Sequence, residues 1–169
     1  MLIQKIKKLK PNPSLKIAIG NDHHGLFLKQ QLKKWLIVNN FTVVDVGTDG
    51  QSTTDYVFYA QKVAHLLQKK AVNFGILCCF SGVGMNIAAN RFFGVRAINV
   101  VSDLSQLTVL SRQHNDANLI TFGTNFITFP TALKNLQLFL STVFLSLPRY
   151  QKRNQILDQL TIKKTKNSL

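Results

Sequence analysis

Apolar residues fall along the chain in two alternating rhythms. Short continuous runs, bounded by glycine and aspartate, read as buried strands: Lys16-Ile-Ala-Ile19 before Gly20, Thr42-Val-Val-Asp-Val46 before Gly47 and Asp49-Gly50, and Phe74-Gly-Ile-Leu-Cys-Cys79. Two more follow, Val95 to Val101 and Asn118 to Phe122, the last closed by Gly123. Between them the period lengthens. Leu28, Leu32, Trp35 and Leu36 stand at i, i+4, i+7 and i+8, the spacing of a helix with one apolar face. Asp55 is a good cap for a second helix whose inner face is Ala60, Val63, Ala64 and Leu67. A third helix runs through Ile87-Ala-Ala-Asn90 after a glycine-bearing turn, and Ser102-Asp103 is a good start for a fourth. Two C-terminal helices are predicted, one from about Pro130 to Ser146 and one over 148–163, where Pro148 suits the first turn.

Strands alternating with helices predict an α/β fold around a mostly parallel five-stranded sheet. In such sheets ligands sit beyond the carboxyl ends of the strands. The informative segments are therefore Asn21 to Gly25, Cys79 to Gly84, Ser102-Asp103 and Gly123 to Asn125.

A chain of 169 residues with 46% hydrophobic content suits one domain, here 15–169, preceded by a basic leader over 1–14. Charge is lopsided: 21 Lys and Arg face seven acids, all of them aspartate. The two ends, 1–16 and 149–169, carry +10 of the formal +14, leaving +4 for the middle. Terminal charge of this kind reads as solvated and argues against a nucleic-acid partner, which would favour a basic interior stripe with aromatic interleaving. The neighbours Cys78 and Cys79 cannot pair with each other and do not match zinc-ligand spacing, so reduced thiols and no metal are expected. The N-terminus lacks a signal-peptide core. Pro130 to Leu147, the most apolar long segment, holds Lys134, Asn135 and Gln137 and is too short and polar to span a bilayer. A cytoplasmic protein with no membrane partner is the expectation.

The segment Cys79-Phe-Ser-Gly-Val-Gly84 ends a strand in a thiol and opens a helix through Gly82 and Gly84. Such a turn can aim backbone N–H groups at an oxyanion or phosphate. The same field is expected to depress the thiol's pKa and make Cys79 a thiolate near neutrality. A buried cysteine beside a tight turn explains the residues equally well. The segment is neither a Walker loop nor a full dinucleotide fingerprint, since Ile87 replaces the third glycine. Asp22-His23-His24-Gly25 places an acid beside two imidazoles after the first strand, a tunable set around a polar ligand. His114 lies just before the fifth strand, in a segment expected to be a loop on the ligand side; His65 reads as structural. Arg149 and Arg153 share a helical face and suit a phosphate clamp, although a solvated face is the simpler reading.

Together these segments resemble the type B ribose-5-phosphate isomerase family, which also contains the galactose-6-phosphate isomerase subunits. The resemblance is carried by Ile19-Gly-Asn-Asp-His-His-Gly25, Thr54-Asp-Tyr56, Gly75 to Asn90, Gly94-Val-Arg-Ala97, Ser111-Arg-Gln-His-Asn-Asp-Ala-Asn118 and the Arg149/Arg153 pair. It implies a three-layer αβα sandwich with a Rossmann-like sheet, working without a cofactor as a homodimer or homotetramer whose sites are shared between subunits. It implies interconversion of ribose 5-phosphate and ribulose 5-phosphate through an enediolate. Cys79 matches the base that moves a proton between C2 and C1, and His114 the residue that opens the sugar ring. Ser81, with backbone N–H groups through Gly82, Val83 and Gly84, would hold the enediolate oxygen. Asp22 and Asn115 would contact hydroxyls or the ring oxygen, and His23, Arg149 and Arg153 the phosphate.

Three positions depart from the family pattern. Phe80 stands where glycine is usual, so its side chain must point away from the sugar or the loop must differ. Asn125 replaces a frequent arginine, and Val57 a frequent proline. These leave a hexose-phosphate isomerase (galactose or allose 6-phosphate) as the alternative, and an inactive fold that binds nucleic acid as a more remote one.

Overall fold

The computed structural model describes residues 15–50 and 52–160. Five strands, β1 (Lys16–Asn21), β2 (Thr42–Asp45), β3 (Phe74–Cys79), β4 (Ala97–Val100) and β5 (Leu119–Gly123), form one sheet in the order β2-β1-β3-β5-β4. Every pairing is parallel. The helices are α1 (Leu26–Val38), α2 (Tyr56–Gln68), α3 (Val83–Ala89), α4 (Ser105–Asn115), α5 (Phe129–Ser141) and α6 (Pro148–Leu160), with a short 3-10 turn at His23–Gly25 before α1. One face of the sheet buries Ile17, Ile19, Ile76, Cys78, Ile120 and Phe122 beneath α1 and α5. The other buries Ala18, Leu77, Cys79 and Leu119 beneath α2 and α3. Strands covered on both faces need no polar alternation, which is why they read as unbroken apolar runs.

From β1 the chain steps outward to β2, then crosses back to β3 on β1's other side. That reversal opens a crevice between the carboxyl ends of β1 and β3, the place where doubly wound sheets hold ligands. The segment after β2 walls it. Lys29, buried on α1, donates to Thr48 C=O (3.0 Å) and pairs with Asp45 (3.3 Å) and Asp49 (2.8 Å). Asn21 Nδ2 donates to the same Thr48 carbonyl (3.1 Å) and to Asp22 C=O (2.7 Å). Asp55 caps α2 by accepting the Val57 N–H, and Ala60, Val63, Ala64 and Leu67 are its buried face, as the spacing predicts.

Three expectations need correction. The helix predicted to Ser146 stops at Ser141: Thr142 turns extended, and Leu145 N–H bonds Gln113 C=O, so 142–147 runs across α4 instead. Helix α4 starts at Ser105 rather than at Ser102-Asp103; the Asp103 carboxylate accepts the Ser105 N–H just ahead of the first turn. His114, expected in a ligand-side loop, lies in the last turn of α4. That helix is a crossover, leaving the carboxyl end of β4 and ending at the amino end of β5, so His114 sits at the opposite edge of the sheet. The basic leader over 1–14 and the helical prediction for 161–163 lie outside the described residues. Among the described residues no helix is long and apolar enough to cross a membrane.

Candidate active site

Asp22 is buried at the end of β1, and its Oδ1 accepts the N–H groups of His24 and Gly25, both at 3.0 Å. Gly25 lies flat on the Cys78 carbonyl, where a Cβ would collide. The turn is thus pressed onto β3. His23 Nδ1 accepts the Thr54 N–H (3.3 Å), an assignment that puts the ring proton on Nε2 when the imidazole is neutral. Its ring lies 4.1 Å from that of His24, which meets Phe80 edge-on at 5.2 Å; Phe80 meets Phe126 at 6.0 Å. The bulky residue after Cys79 is therefore taken up between the turn before α1 and the loop before α5. Cys79 itself packs on the other face, with the α2–α3 core.

The loop after β3 folds back on Cys79. Gly82 adopts a left-handed φ of 75°, and its N–H donates to Cys79 Sγ at 3.2 Å. Ser81 Oγ accepts the Val83 N–H (3.3 Å). Asn86 N–H to Gly82 C=O closes the first turn of α3, so the N–H groups of Val83, Gly84 and Met85 have no partner in the helix. Gly84 lies against the Tyr56 ring, which a Cβ would meet at 2.7 Å. The amide turn expected from the glycines is present.

Its effect on the thiol differs from the expectation. Burial pushes the Cys79 pKa up; the N–H groups of Gly82, Met85 and Ser81 pull against it, and the Asp22 charge adds to the rise. Dehydration outweighs the amides, and the resting sulfur is a neutral thiol at neutral pH rather than a thiolate. Cys78 faces the opposite core, wholly buried, and is raised much further by burial.

Asp22, His23, Cys79, Phe80, Ser81, Gly82, Val83 and Gly84 come together in the crevice. The remaining predicted residues do not join them. His114 stacks on Tyr150 of α6 (4.4 Å between centroids), and Arg149 lies over the same ring at 4.8 Å, bonding its hydroxyl. Asn115 follows His114, and Arg153 is exposed one turn along from Arg149. Strand register measures the gap: Cys79 pairs with Gly123 and Gly75 with Leu119, so the two levels lie four residues apart, about 13 Å along the strand. Asn125 donates its backbone N–H to Phe80 C=O (3.1 Å) and leaves its side chain exposed.

Two residues beneath the loop escape a reading of loops alone. Asn99 Nδ2 donates to Ser81 C=O (3.3 Å), and Thr121 Oγ1 donates to Asn99 Oδ1 (2.9 Å). Their signal in the sequence is polarity in the middle of otherwise apolar strands.

Residues 17–157 match the ribose/galactose isomerase family. The chain is 44% identical over 112 residues to ribose-5-phosphate isomerase B of Escherichia coli, covering 66% of this chain and 74% of that protein. It is 37% identical over 142 residues to a probable ribose-5-phosphate isomerase B of Mycoplasma genitalium, covering 83% and 91%. Among solved structures, a ribose 5-phosphate isomerase of Thermotoga maritima superposes with a TM-score of 0.82 at 35% identity, over 87% of this chain and 99% of that one. The Mycoplasma genitalium enzyme, solved with bound ribulose-5-phosphate, gives 0.81 at 35% identity over 86% and 95%.

Proposed function

The chain belongs to the ribose/galactose isomerase family, and from that premise we propose that it interconverts ribose 5-phosphate and ribulose 5-phosphate, with Cys79 as the base. The observation that carries this reading is the Cys79 sulfur, held by the Gly82 N–H within reach of the Asp22 charge, at the carboxyl ends of β1 and β3. The relative whose structure holds ribulose-5-phosphate supports the same substrate.

With the sugar ring opened, Cys79 as thiolate takes the proton from C2. The electron pair forms the C1–C2 double bond and charge gathers on O1. The helix-start N–H groups of α3, chief among them that of Gly84, meet that charge, where fixed dipoles in a dehydrated site act most strongly. The Cys79 thiol then returns the proton to C1 while the O2 hydroxyl proton passes to O1, leaving the ketone at C2. Asp22 orients hydroxyls. His23, with Nδ1 occupied by Thr54, presents its Nε2 side to the phosphate.

His114, Asn115, Arg149 and Arg153 serve the site of a second copy in a homodimer or a larger homo-oligomer. His114 protonates the ring oxygen during opening, Asn115 contacts the sugar, and the two guanidiniums clamp the phosphate. Their clustering around Tyr150, far from Cys79 in the same chain, supports this arrangement. The enzyme acts in the cytoplasm, on a phosphorylated intermediate of carbohydrate metabolism. Purified protein assayed with ribose 5-phosphate, allose 6-phosphate and galactose 6-phosphate tests the proposal. Higher kcat/KM for ribose 5-phosphate is expected; preference for either hexose phosphate overturns the substrate, and no turnover of any overturns the activity.

A further inference from the structure

Asn99 and Thr121 are register partners on β4 and β5, both on the face that carries Cys79. Thr121 is buried, and its hydroxyl is shared between Asn99 Oδ1 (2.9 Å) and Ile98 C=O (3.2 Å). Holding the Asn99 oxygen turns its Nδ2 to the Ser81 carbonyl, 3.3 Å away. The Ser81–Gly82 peptide is trans and planar, so its carbonyl and its N–H point in opposite directions. With the carbonyl drawn down to Asn99, the N–H faces up to Cys79 Sγ, where it donates at 3.2 Å. The peptide is also confined sterically. A Cβ on Gly82 would overlap Asn99 Oδ1, and one on Gly123 would come within 2.5 Å of Ser81 O.

We infer that Asn99, locked by Thr121, is a positioning residue that aims the Gly82 N–H at Cys79 and so sets how readily the sulfur ionises. The inference rests on the reading of Cys79 as the base. A hydrogen bond to sulfur strengthens when the sulfur carries charge, so a fixed donor favours the thiolate. Each donor in the run Thr121, Asn99, Gly82 polarises the next. Gly82 is the largest influence opposing burial at Cys79. Without its anchor the peptide could turn, because glycine adopts either sign of φ at little cost.

The titratable groups that face Cys79 from the elements packed around it are Asp22 at the end of β1, His23 and His24 in the turn after it, Lys29 on α1, Tyr56 and Tyr59 on α2 and Cys78 on β3 itself; Lys62 and His65 of α2 are exposed. Neither Asn99 nor Thr121 carries charge, so replacing them leaves that set unaltered.

Ultraviolet thiolate absorbance, taken as the difference from Cys79→Ala, titrates this one sulfur. Asn99→Leu keeps the volume and removes the donor. It is expected to move the titration up by about one pH unit, about tenfold less thiolate at a fixed pH. At neutral pH kcat for ribose 5-phosphate falls by the same factor with KM near wild type. Thr121→Val moves both in the same direction by less, and decides the matter if Asn99→Leu does not fold. An unmoved Cys79 titration in a folded variant overturns the inference. Failure of the base assignment shows separately, as turnover that survives Cys79→Ala.

Discussion

Subunit complementation tests the proposed division of the site between two copies. Within one chain, the level of Cys79 and the end of α4 that carries His114 are separated by about 13 Å along the strand. Proton transfer demands heavy-atom contact of about 3 Å, or one intervening water. On the proposed reading, the base and the ring-opening acid of one site therefore come from different chains. In a two-fold dimer each site draws Cys79 from one subunit and His114 from the other. Cys79→Ala lacks the base in both sites, and His114→Ala lacks the ring-opening acid in both; each loss should lower turnover by about a hundredfold or more. A hybrid of the two variants holds one site with both residues and one with neither. Random pairing makes half the dimers hybrid, so a mixture recovers roughly a quarter of wild-type activity, and hybrids isolated by two affinity tags roughly half. Subunits co-expressed and purified through both tags, then assayed for ribulose 5-phosphate formation, give the answer. A folded hybrid with no more activity than its parents would refute the shared site.

Other expectations follow from the same geometry. Burial holds the Cys79 proton, so the thiolate is the minority form at neutral pH and grows about tenfold per pH unit; kcat/KM should climb through the ordinary thiol value of about 8.5, and a profile level from neutral upward would contradict this. Lys29→Met should lower stability by about 1–3 kcal/mol in urea unfolding, because it strips the buried cation from Asp45, while Lys33 at 2.8 Å still holds that carboxylate. Arg149→Ala or Arg153→Ala should raise KM for ribose 5-phosphate with kcat little changed, since phosphate is bound in ground and transition states alike; a fall in kcat at constant KM would remove them from the clamp.

Much of the fold is legible because the sheet is buried on both faces. Phe74–Cys79 is a strand over the span its apolar run occupies, and the inner face of α2 is the one its spacing dictates. The end of α5 was hidden for a tertiary reason. Apolar character continues through Val143, Leu145 and Leu147, but backbone bonding to Gln113 carries those residues across α4. At Cys79 the glycines announce the donors, whereas nothing in local sequence announces how dry the sulfur is, and dryness decides the sign of the shift. Asn99 and Thr121 were within reach. Polar residues in two apolar strands need partners once buried, and the search for those partners leads under the Cys79 loop.

His114 carries a more general point. Proximity to a strand in sequence does not tell which edge of the sheet a residue occupies; chain direction does. In a parallel sheet every crossover helix starts at the carboxyl edge and returns to the amino edge. A residue just after a strand, such as Asp22 or Ser81, is therefore delivered to the crevice, and one just before a strand is delivered away from it. A motif at the end of a crossover helix can reach a carboxyl-edge site when another copy brings the two edges together. The order of strand, motif and helix in the sequence thus separates residues delivered to the carboxyl-edge crevice of their own chain from those that, on the proposed reading, serve a neighbour's. By that criterion Cys79 and His114 fall on opposite sides of the division.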